Sequence, residues 1–256
     1  MFALTPWDAS DSANIRLLIT EGFLDYQYDL SKKLWEPGQQ ASAGTLVPEA
    51  WARVVKPGDV ILTFNWDILH EIILWRAGLW SYRDGYGFEC EGQGTSEGLS
   101  RTQVLKLHGS VNWVQEQDTS PIAYIAHVPD FFPGSKDWDW RPHHSEAQSD
   151  SGRKVVLPTY LKDISSNRVL LDAWTKAHRF VSEVTELIVL GYSLNPVDHP
   201  ARLLFGTALS QNRALSHVTV VSPDAQHWEG FLYHINKGAI PVRQEFEDWV
   251  VHQSSQ

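Results

Sequence analysis

Four short apolar runs are each followed at once by a small group of polar residues. These groups are Asn65-Trp66-Asp67, His108-Gly109-Ser110, Gly191-Tyr192-Ser193 and Ser222-Pro223-Asp224. The His108 imidazole is the side chain best suited to acid-base chemistry, because a histidine with an ordinary pKa of ~6.5 exchanges protons with hydroxyl groups near neutral pH. The remaining groups supply amide, hydroxyl and carboxylate side chains that could contact a ligand.

The apolar runs are short and β-prone, and helical spacing of apolar residues separates them. We predict strands over 60–64, 104–107, 187–190 and 218–221, and helices over 68–80, 169–184 and 198–209. Strands alternating with helices of this length indicate βαβ units and a mainly parallel sheet, hence the α/β class with flanking helices. Ligands of such sheets bind beyond the carboxyl ends of the strands, so we expect the polar groups to converge on one crevice.

Length and spacing define the expected domain organisation. The 256 residues suit a single domain over 1–256, with a helical amino-terminal region over 1–58 and a small insertion or lid over 113–154. His143 and His144 lie in that insertion near several aspartates, but their spacing matches no metal-site pattern, so no metal site is predicted.

Charge and cysteine content exclude several classes of protein. A net charge of −10 without a dense Lys/Arg cluster disfavours direct nucleic-acid binding. The one cysteine, Cys90, allows neither an intramolecular disulfide nor a multi-cysteine zinc site. No apolar run approaches the ~20 residues that span a bilayer, so we expect no membrane partner and a cytoplasmic location.

The four polar groups also carry a resemblance to a known family. TFNWD at 63–67, KLHGSVNW at 106–113, LGYSLNPVD at 190–198 and VVSPD at 220–224 resemble the ordered motifs of the sirtuin-like family. The resemblance covers about 59–225 and is nearer to the divergent bacterial branch of antiphage defence systems than to deacetylases. It implies a Rossmann-like, doubly wound sheet and hydrolysis of NAD, as substrate, to nicotinamide and ADP-ribose. It further implies gating by a defence-system partner protein or by homo-oligomerisation.

The resemblance assigns roles to individual residues. Asn65 would contact the nicotinamide ribose and position the attacking nucleophile or water, and His108 would contact the ribose and act as a general base where acyl transfer occurs. Asp67 would face the nicotinamide carboxamide. The full set of expected NAD contacts is Thr63, Asp67, Gly191, Ser193, Asp198 and Ser222, with Gly191 and Ser193 under the phosphates and Ser222 near the adenosine.

Two departures from the family pattern keep alternatives open. Deacetylase-type sirtuins carry a four-cysteine zinc module after the histidine motif, whereas Cys90 precedes His108. No zinc is therefore expected, and an NAD-dependent protein deacylase is only a third alternative. Family members also open with a strand and a G-A-G-x-S-like turn, and no such segment precedes Asn65. That difference predicts an unpaired strand edge and weaker NAD binding, and it favours the second alternative, a degenerate non-catalytic module that binds a nucleotide or a protein.

Simple structural roles are the competing interpretation for the same residues. Asp67 and Asp198 each precede a predicted helix, where an aspartate often serves as the N-cap. His108 and Gly191 could merely end buried strands in tight turns. The functional interpretation depends on whether these turns meet in the folded chain.

Overall fold

Helices alternate with short strands in the part of the chain that the computed structural model describes. The described residues are 46–81, 84–88, 100–114, 124–125, 153–155, 164 and 167–256. The helices are α1 (Leu46–Val54), α2 (Leu69–Arg76), α3 (Arg168–Glu183), α4 (His199–Gln211), α5 (Gln226–His234) and α6 (Phe246–Gln253). The strands are β1 (Val60–Thr63), β2 (Gln103–Lys106), β3 (Gly109–Val114), β4 (Tyr124–Ile125), β5 (Arg153–Val155), β6 (Ile188–Leu190), β7 (His217–Val221) and β8 (Gly238–Val242). The chain is of mixed helix and strand content with parallel sheets, compatible with the predicted α/β class.

The described strands form three small sheets. β1 pairs with β2 in parallel, and β6, β7 and β8 form a second parallel sheet in that order. β3 lies between β4 and β5 in an antiparallel sheet. The predicted insertion over 113–154 thus contributes β4 and parts of β3 and β5, and its other residues lie outside the described ones.

Alternate strand residues contribute to two different apolar clusters. In β2, Val104 belongs to the first cluster, whereas Leu105 belongs to the second, and the neighbouring Leu107 joins it there. In β7, Val221 belongs to the first and Val220 to the second. The first cluster includes residues of α1, α2 and α6 together with Val169 and Leu170 of α3, and the second includes residues of α3, α4 and α5. Residues of both parallel sheets therefore contribute to both apolar clusters.

The helices that precede and follow β6 begin within one residue of the predicted starts, at Arg168 and His199. Asn167 caps α3, its side-chain oxygen accepting a hydrogen bond from Leu170 N at 3.1 Å. Asp198 caps α4 in the same way, accepting from Ala201 N at 3.4 Å. A side-chain acceptor at this position satisfies a backbone donor that the first turn leaves without an intrahelical partner.

Other elements differ from the predictions. The helix predicted over 68–80 is α2, which ends at Arg76 because Gly78 takes a left-handed conformation with φ of +69°. α1 lies within the helical region predicted over 1–58, whereas no prediction was made for α5, β8 or α6. α1 and α6 pack together through Trp51 and Phe246, whose ring centroids lie 5.6 Å apart.

The helical region predicted over 1–58 can be compared with the structure only from Leu46, because residues 1–45 lie outside the described part. Cys90 also lies outside it. No described helix is long and apolar enough to cross a membrane.

Candidate functional site

Asn65 and His108 follow neighbouring parallel strands at the same end. Thr63 is the register partner of Lys106, and the N–H of Leu107 donates to the Thr63 carbonyl at 2.9 Å. Asn65 and His108 each lie two residues beyond these partners, and adjacent strands are about 4.8 Å apart. Asn65 is exposed, while the His108 side chain is only 12% exposed. The pair therefore combines an accessible amide with a shielded imidazole.

Asp198 connects His108 to the turn that follows β6. Its Oδ2 atom lies 3.7 Å from Nε2 of His108, and its side chain is 10% exposed. This separation is longer than a hydrogen bond but short enough for an ion pair. Oδ1 of the same carboxylate caps α4. Asp198 is therefore both the N-cap of α4 and a close neighbour of His108.

An aromatic contact joins the turn after β1 to the turn after β6. The Phe64 ring stacks on Tyr192 with centroids 4.4 Å apart and an interplanar angle of 19°. The same ring meets His108 edge to face at 5.0 Å. Burial, and then the neighbouring Asp198 carboxylate, raise the pKa of Tyr192, so its phenol stays protonated at neutral pH. The turns that carry Asn65, His108 and Gly191 therefore meet around Phe64.

Trp174 fixes the backbone immediately before His108. Its Nε1–H donates to the Leu107 carbonyl at 2.6 Å, and its ring lies 6.4 Å from that of His108. Trp174 belongs to the apolar stripe of α3. Sequence reasoning identified that stripe but did not connect it with the site, and it placed Phe64 and Tyr192 in the motifs without giving either a role. The unusual number of tryptophans, 12, was the signal available.

The turn after β6 is open above its glycine. Gly191 is exposed, has φ of +63°, and no described heavy atom lies within 4 Å of where a Cβ would stand. Ser193 is exposed on the same turn, whereas Leu194 is fully buried with φ of +51°. A branched, buried residue in the left-handed region is strained unless its surroundings hold it there. In this turn Leu194 is therefore held in the interior, while Gly191 and Ser193 are accessible to solvent.

Thr63, Asp67 and Ser222 are engaged within their own turns. Thr63 Oγ1 accepts from Asn65 N at 3.1 Å, and Asp67 Oδ1 accepts from Leu69 N at 3.1 Å. Ser222 Oγ accepts from Asp224 N at 3.2 Å. The N-cap of α2 is Ile68, so the N-cap interpretation of Asp67 is wrong, although the Asp67 side chain does bond to the first residue of the helix. The expected NAD contacts of these three residues remain predictions.

A buried group of titratable residues lies beside the Asn65 turn. Lys106 and Glu71 are fully buried, with Nζ 3.1 Å from Oε1. Burial lowers the pKa of the adjacent His70 to about 4, an effect that Asp67 opposes and Lys106 reinforces. Burial also raises the pKa of Glu71, opposed by Lys106. Sequence reasoning missed this group because Lys106 and Glu71 stand within otherwise apolar runs.

No group of His, Cys, Asp and Glu in the described ranges could hold a metal ion.

The structure brings Asn65, His108, Asp198 and the Gly191 turn towards one edge of the parallel strands. Ser193 lies on that same turn, whereas Ser222 lies at the end of the neighbouring β7. No protein-family model matches the chain, and no curated protein matches it significantly.

Proposed function

We propose that this chain is an NAD hydrolase of the sirtuin-like type, releasing nicotinamide and ADP-ribose on a Rossmann-like, doubly wound sheet. Two features of the strands support the fold part of the proposal. Residues of both parallel sheets contribute to two apolar clusters that also contain helix residues, and the β1 and β6 turns meet through the stack of Phe64 on Tyr192. Open α/β sheets bind dinucleotides beyond the carboxyl ends of their strands.

One observation carries the functional proposal. Three turns that are distant in sequence meet through the stack of Phe64 on Tyr192 and the approach of His108 to Asp198. Their residues are those of the motifs that resemble the sirtuin-like family. A site that binds one dinucleotide requires these turns to lie close together.

The proposed reaction needs few protein groups. The bond between the ribose C1′ and the nicotinamide nitrogen breaks, nicotinamide leaves with the bonding electron pair, and the sugar acquires oxocarbenium character. The Asn65 amide positions a water molecule whose oxygen forms the new bond to C1′. The proton released by that water passes to solvent, and His108 holds the ribose hydroxyls. Asp198 keeps the imidazole in place and stabilises positive charge on it.

Binding of the rest of the dinucleotide is assigned to the other turns. The open space above Gly191 suits close approach of a phosphate to the backbone, and Ser193 is exposed beside it. Ser222 follows β7, the strand next to β6, as expected for an adenosine contact. Thr63 and Asp67 shape the turn that carries Asn65 and complete the proposed NAD site. The motif resemblance alone supports the proposed cytoplasmic defence role and the gating by a partner protein or homo-oligomer.

Nicotinamide release measured on the full chain tests the proposal. We expect Asn65→Ala and His108→Ala each to lower the turnover of NAD by roughly 10²-fold. His178→Ala is the matched control, because this half-buried histidine on α3 contacts Thr207 and lies outside the proposed site. Equal turnover in the parent, Asn65→Ala and His108→Ala would overturn the site assignment. NAD binding without turnover would instead indicate a non-catalytic nucleotide-binding module.

A further inference from the structure

The turn that carries Asn65, here called the 64–68 loop, is held by hydrogen bonds to its backbone carbonyls. The Trp66 carbonyl accepts from Val111 N at 3.1 Å and from Ser110 Oγ at 3.3 Å. The next carbonyl along, that of Asp67, accepts from Lys106 Nζ. All three donors lie on β2 or β3, the strands that flank His108. The loop is therefore attached to the same segment that carries His108.

Lys106 is an unusual residue for this position. It is fully buried within β2, and its ammonium group contacts both the Glu71 carboxylate and the Asp67 carbonyl. Burying two charges is costly, and a well-packed apolar pair of similar size is often at least as stable. Packing alone therefore does not explain Lys106. The hydrogen bond to Asp67 gives it a task that no apolar side chain could perform.

We infer that Lys106 is a positioning residue that fixes Asn65 relative to His108, an inference that rests on the proposed NAD hydrolase function. The ammonium group joins three elements at one point: β2 through its own backbone, α2 through Glu71, and the 64–68 loop through Asp67. Asn65 lies two residues before that last contact and is the exposed member of the loop. Loss of the bond lets the loop move while β1 and β2 stay paired.

Substitution of the two buried partners tests the inference on the full chain. Lys106→Met keeps the length of the side chain and removes the donor, whereas Glu71→Gln keeps both the donor and a neutral acceptor. We expect Lys106→Met to lower kcat by roughly 10²-fold with little change in KM, because displacement of a positioned group by about 1 Å can cost this much. Glu71→Gln is expected to lower kcat much less. Amide hydrogen exchange of the 65–69 segment is expected to rise in Lys106→Met while exchange in β7 is unchanged.

A second destabilised variant separates positioning from stability. Asn212→Ala removes buried hydrogen bonds to the Val181 and Val184 carbonyls, far along the chain from the loop. It is expected to unfold more easily yet to keep the parental kcat and parental exchange in 65–69. Where Lys106→Met does not fold, Lys106→Met combined with Glu71→Met removes both charges and gives the same readouts.

Three results would overturn the inference. Parental kcat in Lys106→Met would show that Asn65 needs no such attachment. Unchanged exchange in 65–69 would show that the loop is held by other bonds, and a uniform rise in every strand would assign Lys106 to global stability. A parent that releases no nicotinamide would overturn the proposed function and the catalytic part of the inference, and hydrogen exchange would still decide whether Lys106 holds the loop.

Discussion

The Asp198 carboxylate serves two partners at once, with Oδ2 3.7 Å from His108 Nε2 and Oδ1 accepting from Ala201 N at the start of α4. The position of α4 and the orientation of the imidazole are therefore coupled through one side chain. A helix cap is common and by itself says nothing of function. A cap whose second oxygen faces a shielded histidine at the end of another strand is more informative.

Substitutions of Asp198 distinguish its role as the N-cap of α4 from its role as a negative charge beside His108. Asp198→Asn retains an N-cap acceptor but removes the negative charge beside His108, so we expect stability within about 0.5 kcal/mol of the parent and a fall in turnover of 10-fold or more. Asp198→Ala should lose about 1 kcal/mol of unfolding free energy in addition. Urea unfolding and nicotinamide release measure the two effects. Asn167→Ala, at the cap of α3, is the control that should lose stability while keeping the parental turnover.

Trp174 offers a prediction about backbone placement. Trp174→Phe keeps an aromatic ring against the second cluster but leaves the buried Leu107 carbonyl without the Nε1–H donor that it has at 2.6 Å. We expect a loss of about 1–3 kcal/mol in urea unfolding, accompanied by lower NAD turnover because His108 follows Leu107 directly. Trp249→Phe, in the first cluster on α6, should cost stability alone. Similar turnover in both variants would count against the role given to Trp174.

The periodicity of α3 and α4 and the alternation of strands with helices made most of the parallel sheets predictable. Those features depend on local sequence, because apolar spacing, a capping Asn167 or Asp198 and a short β-prone run each act within a few residues. The convergence of the polar groups followed from the rule that carboxyl ends of parallel strands share one edge. The double winding and the NAD chemistry stay predictions.

The features that sequence reasoning missed depend on contacts between distant residues. Lys106 and Glu71 look like isolated polar residues in apolar runs, and only folding shows that they neutralise each other at 3.1 Å. The pairing of Phe64 with Tyr192 likewise has no local signal. α6 packs on α1 through Phe246 and Trp51, and its N-cap Glu245 makes no side-chain capping hydrogen bond.

The lowered pKa of His70 predicts a specific dependence of stability on pH. Its pKa is about 4 in the folded chain and 6.5 ordinarily, so the unfolded chain binds more protons between these values. The contribution of His70 is therefore complete above about pH 6.5 and is lost as the pH falls towards 4. Glu71 acts in the opposite direction, because its raised pKa makes its contribution present at low pH and lost as the pH rises through the folded value.

The difference between the parent and His70→Gln isolates the histidine. Glu71 is common to both proteins, so subtracting their unfolding free energies removes its effect to first order. We expect the parent to lose about 2 kcal/mol more than His70→Gln between pH 7 and pH 4, since each pKa unit is worth about 1.4 kcal/mol and the residue is partly exposed. Parallel curves for the two proteins would show that His70 takes up its proton equally well in the folded chain.

Alanine substitution is expected to have opposite effects on stability at Gly191 and at Gly206. An alanine at Gly191 would have room, because no described heavy atom lies within 4 Å of its Cβ, but φ of +63° costs an L-residue about 1–2 kcal/mol. Gly206 lies inside α4, and a Cβ there would touch the Phe231 ring at an ordinary 3.6 Å. Gly206→Ala should therefore raise stability by up to about 1 kcal/mol, the helix preference of alanine over glycine.

The same pair distinguishes a ligand-binding turn from a merely tight one. If a phosphate of NAD lies against the backbone of Gly191, Gly191→Ala places a methyl group in that space and should raise KM for NAD by roughly 10-fold, equivalent to about 1.4 kcal/mol of binding. Gly206→Ala should leave KM unchanged. A Gly191→Ala variant that is less stable but binds NAD like the parent would assign this glycine to the bend after β6 alone. Binding of NAD would then have to depend on the Asn65 and His108 turns and not on the β6 turn.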